Sequence, residues 1–213
     1  MPRIKPLLVC TALVALSACG GKDNQLVIGG ITATRSACTA VGVPAQTGDI
    51  TLFSPENSRD ASAIDVVATI TNVQSTCDDT GPEILTNATF DVLATRTDPR
   101  GAREVVLPYY STVLRAGRVV VSKRVSHVAI RFEDGQTRAT GRGGASAQVN
   151  RAAATLPDDI RERITRKRKP GEEDAAIDPM ALPEVRDAVS RASFELLIGF
   201  QLTDAQLRYN ATR

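Results

Sequence analysis

Ile84-Leu85-Thr86-Asn87-Ala88-Thr89-Phe90-Asp91-Val92-Leu93-Ala94-Thr95 is the stretch that decides the fold. Ile84, Ala88, Phe90, Val92 and Ala94 share one parity, while Asn87, Thr89, Asp91 and Thr95 share the other. A period of two sends alternate side chains to opposite faces, so the run reads as a strand with one buried and one solvated face. Upstream, the residues from Ile64 to Val73 (IDVVATITNV) are rich in β-branched side chains and alternate an apolar face with a mixed one. Downstream, Asp98-Pro99-Arg100-Gly101 carries turn chemistry, because proline presets φ and glycine tolerates positive values. A return strand is expected from Glu104 to Val113, with Pro108 suggesting an edge or a bulge within it. Arg115-Ala116-Gly117 then turns the chain into a long strand, Arg118 to Phe132. There Val119, Val121, Val125 and Ile130 are expected to supply apolar contacts, and the parity change between Val125 and Val128 hints at a bulge. The last strong strand runs from Phe194 to Leu202, with Phe194, Leu196, Ile198 and Phe200 on one face. Thr203 reads as the N-cap of a short final helix, Asp204 to Tyr209, with Asp204 near its positive end.

Strands at this spacing, separated by turn signals, predict a mainly all-β fold. The expected arrangement is an immunoglobulin-like β-sandwich without the tryptophan that antibody domains pack on their disulfide, since the chain has none. Between Arg151 and Arg191 the pattern changes. Leu156 to Ile164 has acidic residues early and basic residues late, as a helix dipole prefers, and Pro170-Gly171 breaks it. Pro183 to Ser193 suggests a second short helix, with Val185 and Val189 on one side. A helical insertion at about 152–190 therefore interrupts one β domain spanning 31–213.

The first residues carry a separate message. Arg3 and Lys5 precede an uncharged apolar run from Leu7 to Ala18, too short for the about 20 residues that span a bilayer. A basic start, a short apolar core and small residues at the end describe a secretory signal over 1–18. Its end, Leu16-Ser17-Ala18-Cys19, resembles the lipobox of bacterial lipoproteins. That resemblance implies cleavage before Cys19 and acylation of its sulfur. Several acyl chains, at about 0.8 kcal/mol per buried CH₂, anchor stably where one is marginal. The polar stretch that begins Gly20-Gly21-Lys22-Asp23-Asn24-Gln25 reads as a tether over 19–30. Gly20 stands where inner-membrane lipoproteins carry aspartate, so the outer membrane, facing the periplasm, is the expected location.

Of four cysteines, Cys10 leaves with the signal and Cys19 takes lipid, which leaves Cys38 and Cys77 as an even pair in an oxidising compartment. A disulfide between them closes a loop of about 40 residues, worth roughly 4 kcal/mol in the chain-entropy model. Metal binding, the competing use, fails on ligand count: the only histidine is His127 and no CxxC pair exists. No metal or cofactor is expected.

Aromatic residues make up only 4% of the chain, so the core must be built from Val, Ile, Leu and Ala with a few Phe and Tyr. A net charge of +2 excludes a polyelectrolyte. The densest charged feature is Arg161, Arg163, Arg166, Lys167, Arg168 and Lys169, followed by Glu172-Glu173-Asp174. It reads either as an electrostatic contact for anionic headgroups or an acidic partner, or as a solvated helix and loop neutralised by its neighbours. Nucleic acid is not an expected partner, because no aromatic residues interleave to stack on bases. Gly141-Arg142-Gly143-Gly144 lacks P-loop and GxGxxG spacing and is expected to be a flexible hairpin or loop. No GxSxG nucleophile motif supports a serine triad. Asp78-Asp79 and Asp158-Asp159 fit turns and helix starts better than acid–base pairs, and Asp78-Asp79 lacks the alternating oxygens of a calcium loop.

Together the lipobox, the segments around Cys38 and Cys77, and the ending Ile198-Gly199-Phe200-Gln201-Leu202-Thr203-Asp204-Ala205-Gln206-Leu207-Arg208-Tyr209-Asn210 resemble a family of alphaproteobacterial envelope lipoproteins. The resemblance implies location and fold and transfers no site residue. The expected function is a non-enzymatic structural or protein-interaction module with an envelope protein as partner. A small-molecule or lipid binder is the alternative, and a hydrolase without a recognised motif stands behind both.

Overall fold

A computed structural model describes residues 37–166, 171 and 177–212. Among them the strands are β1 (Ala40–Gly42), β2 (Asp49–Phe53), β3 (Ile64–Asp78), β4 (Glu83–Arg96), β5 (Arg103–Arg115), β6 (Val119–Phe132), β7 (Arg138–Asn150) and β8 (Phe194–Phe200). The helices are α1 (Arg151–Ala154), α2 (Asp158–Thr165), α3 (Pro183–Arg191) and α4 (Asp204–Thr212). The mainly β, sandwich-like fold expected from the alternating runs is the fold the chain adopts, with helices before the last strand and after it.

Strand β4 carries the deciding stretch, and burial alternates along it without a break from Ile84 to Arg96. It pairs antiparallel with β3 on one side and β7 on the other, and β2 completes a four-stranded sheet in the order β2-β3-β4-β7. The second sheet has the order β1-β8-β5-β6, with β1 parallel to β8 and the remaining pairs antiparallel. An immunoglobulin constant domain divides its strands as ABED and CFG; here one sheet is a β2-β3-β4 meander closed by β7. Phe90, Leu107, Ile130, Phe132, Ile198 and Phe200 fill the space between the sheets. Each fully buried apolar side chain contributes roughly 1.5–3 kcal/mol.

The glycine tract is a correction. Gly141 and Gly143 lie inside β7, not in a loop. Phe90 stands directly opposite Gly143 across the strand pair, and a Cβ there would sit 2.3 Å from the Phe90 ring. At Gly141 a Cβ would meet Val128 at 2.8 Å and the Ala129 carbonyl at 2.9 Å, because β6 and β7 close on each other along this edge. Glycine is used for its missing side chain, and the aromatic ring covers the gap.

Strand β6 departs from expectation as well. Val119 and Val121 do not enter the core, nor does Val125; inward burial begins only at Val128. The register shift falls opposite Val113/Leu114, leaving Val121 as the extra residue, and does not fall between Val125 and Val128. Strand β3 runs past its expected end at Val73 to Asp78 by way of a shift between Thr71 and Gln74, where Asn72 takes a φ of 49°. Pro108 lies where the β8 ladder stops: its carbonyl accepts the Gln201 N–H at 2.9 Å, and its missing donor costs no ladder bond.

The insertion has its own small core of Ile160, Val185 and Ala188, with Leu156, Ile164, Leu182 and Val189 packed around it. At the other end of the fold, Thr203 and Gln206 cap α4 reciprocally. The Thr203 N–H donates to Gln206 Oε1 at 2.9 Å, and the Gln206 N–H donates to Thr203 Oγ1 at 3.3 Å. Tyr209 meets Phe53 edge-on, and Asn210 Nδ2 donates to the Gln46 and Asp49 carbonyls, so α4 is pinned over β2.

Candidate functional site

Cys19, the signal and tether segments, and Lys167, Arg168 and Lys169 lie outside the described residues. Cys38 and Cys77 form a disulfide, with their Cα atoms 6.1 Å apart. It joins the segment entering β1 to the far end of β3, and so ties one sheet to the other.

The described part of the basic run is interleaved with acid. Arg161 pairs with Asp158 one turn away on α2, and Arg163 reaches Glu184 of α3 at 3.3 Å. Surface pairs of this kind contribute about 0–1 kcal/mol. Arg163 and Arg166 also border an open hollow of about 470 Å³, whose other walls include Glu162, Ile177 and Leu182.

His127 sits on the exposed half of β6, opposite Pro108. Asp78 closes a turn: its Oδ1 accepts from the Thr80 N–H at 3.0 Å and the Thr80 hydroxyl at 2.7 Å. Those two bonds hold the Asp78 carboxyl below its ordinary pKa. Asp158 and Asp159 open α2, near the positive end of its dipole.

Two features escaped the sequence reading. The first is Arg96, 4% exposed and the only buried charged side chain among the described residues. Its guanidinium donates to the carbonyls of Gln136, Gly101, Pro99 and Glu133 at 2.6–2.9 Å, and it stacks over Phe132 with its central carbon 5.1 Å from the ring centroid. It thereby clamps the β4–β5 turn to the β6–β7 turn. Its parity was the available signal, since Arg96 falls on the face of Ala94 and Val92.

The second is the open half of β6. All nine residues from Val119 to His127 are exposed, and Val119, Val120, Val121 and Val125 are each between 51% and 60% exposed. Arg118, Lys123 and Arg124 stand among these valines, and no acidic residue occurs anywhere from Val105 to Ile130. Lys123 lies over the Tyr110 ring at 5.3 Å, and Arg115 at the root of the turn donates to the Arg191 carbonyl at 2.7 Å. Arg118 and Arg124 form no ion pair among the described residues. The charge gap between Glu104 and Glu133 was the signal in the sequence.

Compared with known proteins, the chain matches no family model, no curated protein and no solved structure.

Proposed function

We propose that the chain is an exported envelope lipoprotein, acylated at Cys19, that serves as a non-enzymatic contact module at the outer membrane. The observation that carries the contact role is the bare half of β6. Sheet edges are normally covered, shortened or bent away, because unpaired N–H and C=O groups invite association. Here nine residues of one strand, four of them valines, stand in the open. The anchor rests on the lipobox, and the envelope assignment on the likeness to alphaproteobacterial lipoproteins. A protein partner in the envelope, meeting the basic residues of the insertion, belongs to the same reading.

Two measurements test it. Cells fed a clickable palmitate should label the parent protein and not Cys19→Ser. A photo-cross-linking residue at Val121 should yield adducts in living cells, while the same residue at exposed Thr89 on the other sheet should not. An unlabelled parent rejects the anchor, and equal adduct formation at both positions rejects the contact role.

One observation favours a second reading, a binder of a small molecule or lipid. The hollow of about 470 Å³ on the insertion falls within the roughly 300–1,000 Å³ of ordinary ligand sites. Native mass spectrometry of protein taken from its host should then show a co-purified mass that Leu182→Trp removes. A single bare mass rejects this second reading.

A further inference from the structure

We propose that the open end of the β5–β6 hairpin, from Arg115 to Ser126, is a second membrane contact that docks onto an anionic lipid surface through phosphate-bearing headgroups. The inference deepens the lipoprotein reading, and its placement rests on that reading.

Charge complementarity is the first argument. Arg118, Lys123 and Arg124 are cations within a stretch that contains no carboxylate from Val105 to Ile130. By contrast, the described cations of α2 are answered by Asp158 and Glu184. Arg118, Lys123 and Arg124 form no ion pair among the described residues, not even with the nearby Glu195 of β8. Such a hairpin is attracted to a negative surface, and its apolar neighbours gain by entering the headgroup region.

The distribution of the valines is the second. Across the β5–β6 pairing Val120 lies opposite Leu114 and Val125 opposite Tyr110, on the outer face of the sheet. Val119 lies opposite Arg115, on the other face. A protein strand added to this edge would pair its backbone in the plane of the sheet and leave the valines on both faces in water. Apolar side chains on both faces of one strand suit immersion in an interfacial layer better.

The third is the position of the first described strand. Ala40 of β1 pairs with Glu195, Glu195 pairs with Leu114, and Leu114 pairs with Val120. One row across the sheet thus runs from the first strand to the root of the hairpin turn. The first described strand starts at the hairpin end, and the 18 positions that separate Cys19 from Ala37 can span at most about 65 Å. Lipid on Cys19 and the cationic hairpin therefore address the same bilayer.

The test uses the chain from residue 19 onward with Cys19→Ser, which keeps every described residue and removes the acyl chains. It is titrated with vesicles of phosphatidylglycerol mixed with phosphatidylcholine, and with phosphatidylcholine vesicles alone. Binding to the mixed vesicles only is expected, weakening as salt is raised. The variant Arg118→Ser/Lys123→Ser/Arg124→Ser should bind on the order of 100-fold more weakly, at about 1 kcal/mol per basic side chain near an anionic surface. Arg161→Ser/Arg163→Ser/Arg166→Ser should bind as the parent does, and unchanged urea midpoints show that both variants are folded. Equal binding to both vesicle types, or a hairpin variant that binds like the parent, overturns the proposal. So does a concentration-dependent dimer that Val121→Asp dissolves and vesicles leave intact, since the edge would then pair with a second copy. A cross-link from Val121 to an envelope protein in place of lipid overturns it too. Palmitate labelling is read separately: an unlabelled Cys19 with vesicle binding retained removes the anchor and leaves the hairpin contact standing.

Discussion

Replacing Arg96 with methionine should be among the most damaging single changes in this protein, although it touches no surface feature. Methionine keeps the length and apolar body of the side chain and removes every donor. Four carbonyls, those of Gln136, Gly101, Pro99 and Glu133, each lose a bond from the guanidinium. Pro99 and Glu133 keep the N–H groups of Gly135 and Gln136, while Gln136 and Gly101 lose the donor described for them. Hydrogen bonds to a charged group are worth about 1.5–3 kcal/mol each. These turns border solvent, however, and water recovers part of each bond, so about 1 kcal/mol per carbonyl is a fair value. The expected loss is then about 3–4 kcal/mol, a large share of the about 5–15 kcal/mol that holds a domain together. With a urea slope near 2 kcal/mol/M, the midpoint should fall by about 1.5–2 M at constant slope. Arg96→Lys keeps the charge but replaces a planar fork of five donors by three on one nitrogen, and should lose about half as much. Arg161→Gln is the control. Its pair with Asp158 lies on the surface of α2, and its removal should leave the urea midpoint close to that of the parent. A loss below about 1 kcal/mol for Arg96→Met, or a lysine variant equal to the parent, would refute the clamp.

Gly143→Ala should cost about 2 kcal/mol by overpacking against Phe90, and Phe90→Leu in the same chain should recover at least half of that in a double-mutant cycle. Reducing the bond between Cys38 and Cys77, which lie 39 positions apart, should lower stability by about 4 kcal/mol, read as the difference in urea midpoint with and without reductant. Stability should also decline in acid. Arg100 holds the Asp98 carboxyl well below the carboxylate range, and Asn72 and then Arg142 do the same to Asp91 by a smaller amount. Folded values below the unfolded one stabilise at pH above about 4 and are lost as pH falls through them, so Asp98→Asn should flatten the acid limb of a stability–pH curve.

The parts of the fold legible in the sequence are those in which one strand carries its own message. Ile84 to Thr95 alternates because one sheet face packs and the other is wet, and that needs no knowledge of its neighbours. Thr203 announces a cap because its partner Gln206 is three residues away. The glycines of β7 say nothing by themselves: Gly143 makes sense only against Phe90, 53 positions earlier and directly across the ladder. The same holds for Val119 to Val121. Their composition asks for a core, but among the described residues no opposing sheet covers them. Both short early strands, β1 and β2, also went unread, since three and five residues carry too little periodicity to register. Of the candidate site, the disulfide followed from cysteine count and compartment. Arg96 was readable by parity, yet an arginine on an apolar face next to a turn passes easily for the first residue outside the strand.

The position of β8 has a consequence for how the chain can be shortened and for the order in which it can fold. This strand lies between β1 and β5 in its sheet, yet it is the last to be synthesised. A chain emerging amino terminus first presents β1 with no neighbour and β5 with one bare side until residues 194–200 have appeared. Both wait for a single late segment, the kind of distant pairing that slows folding. A product ending before Phe194 is for the same reason no smaller version of this protein. It is a chain with two complementary open edges and the strand that joins them missing.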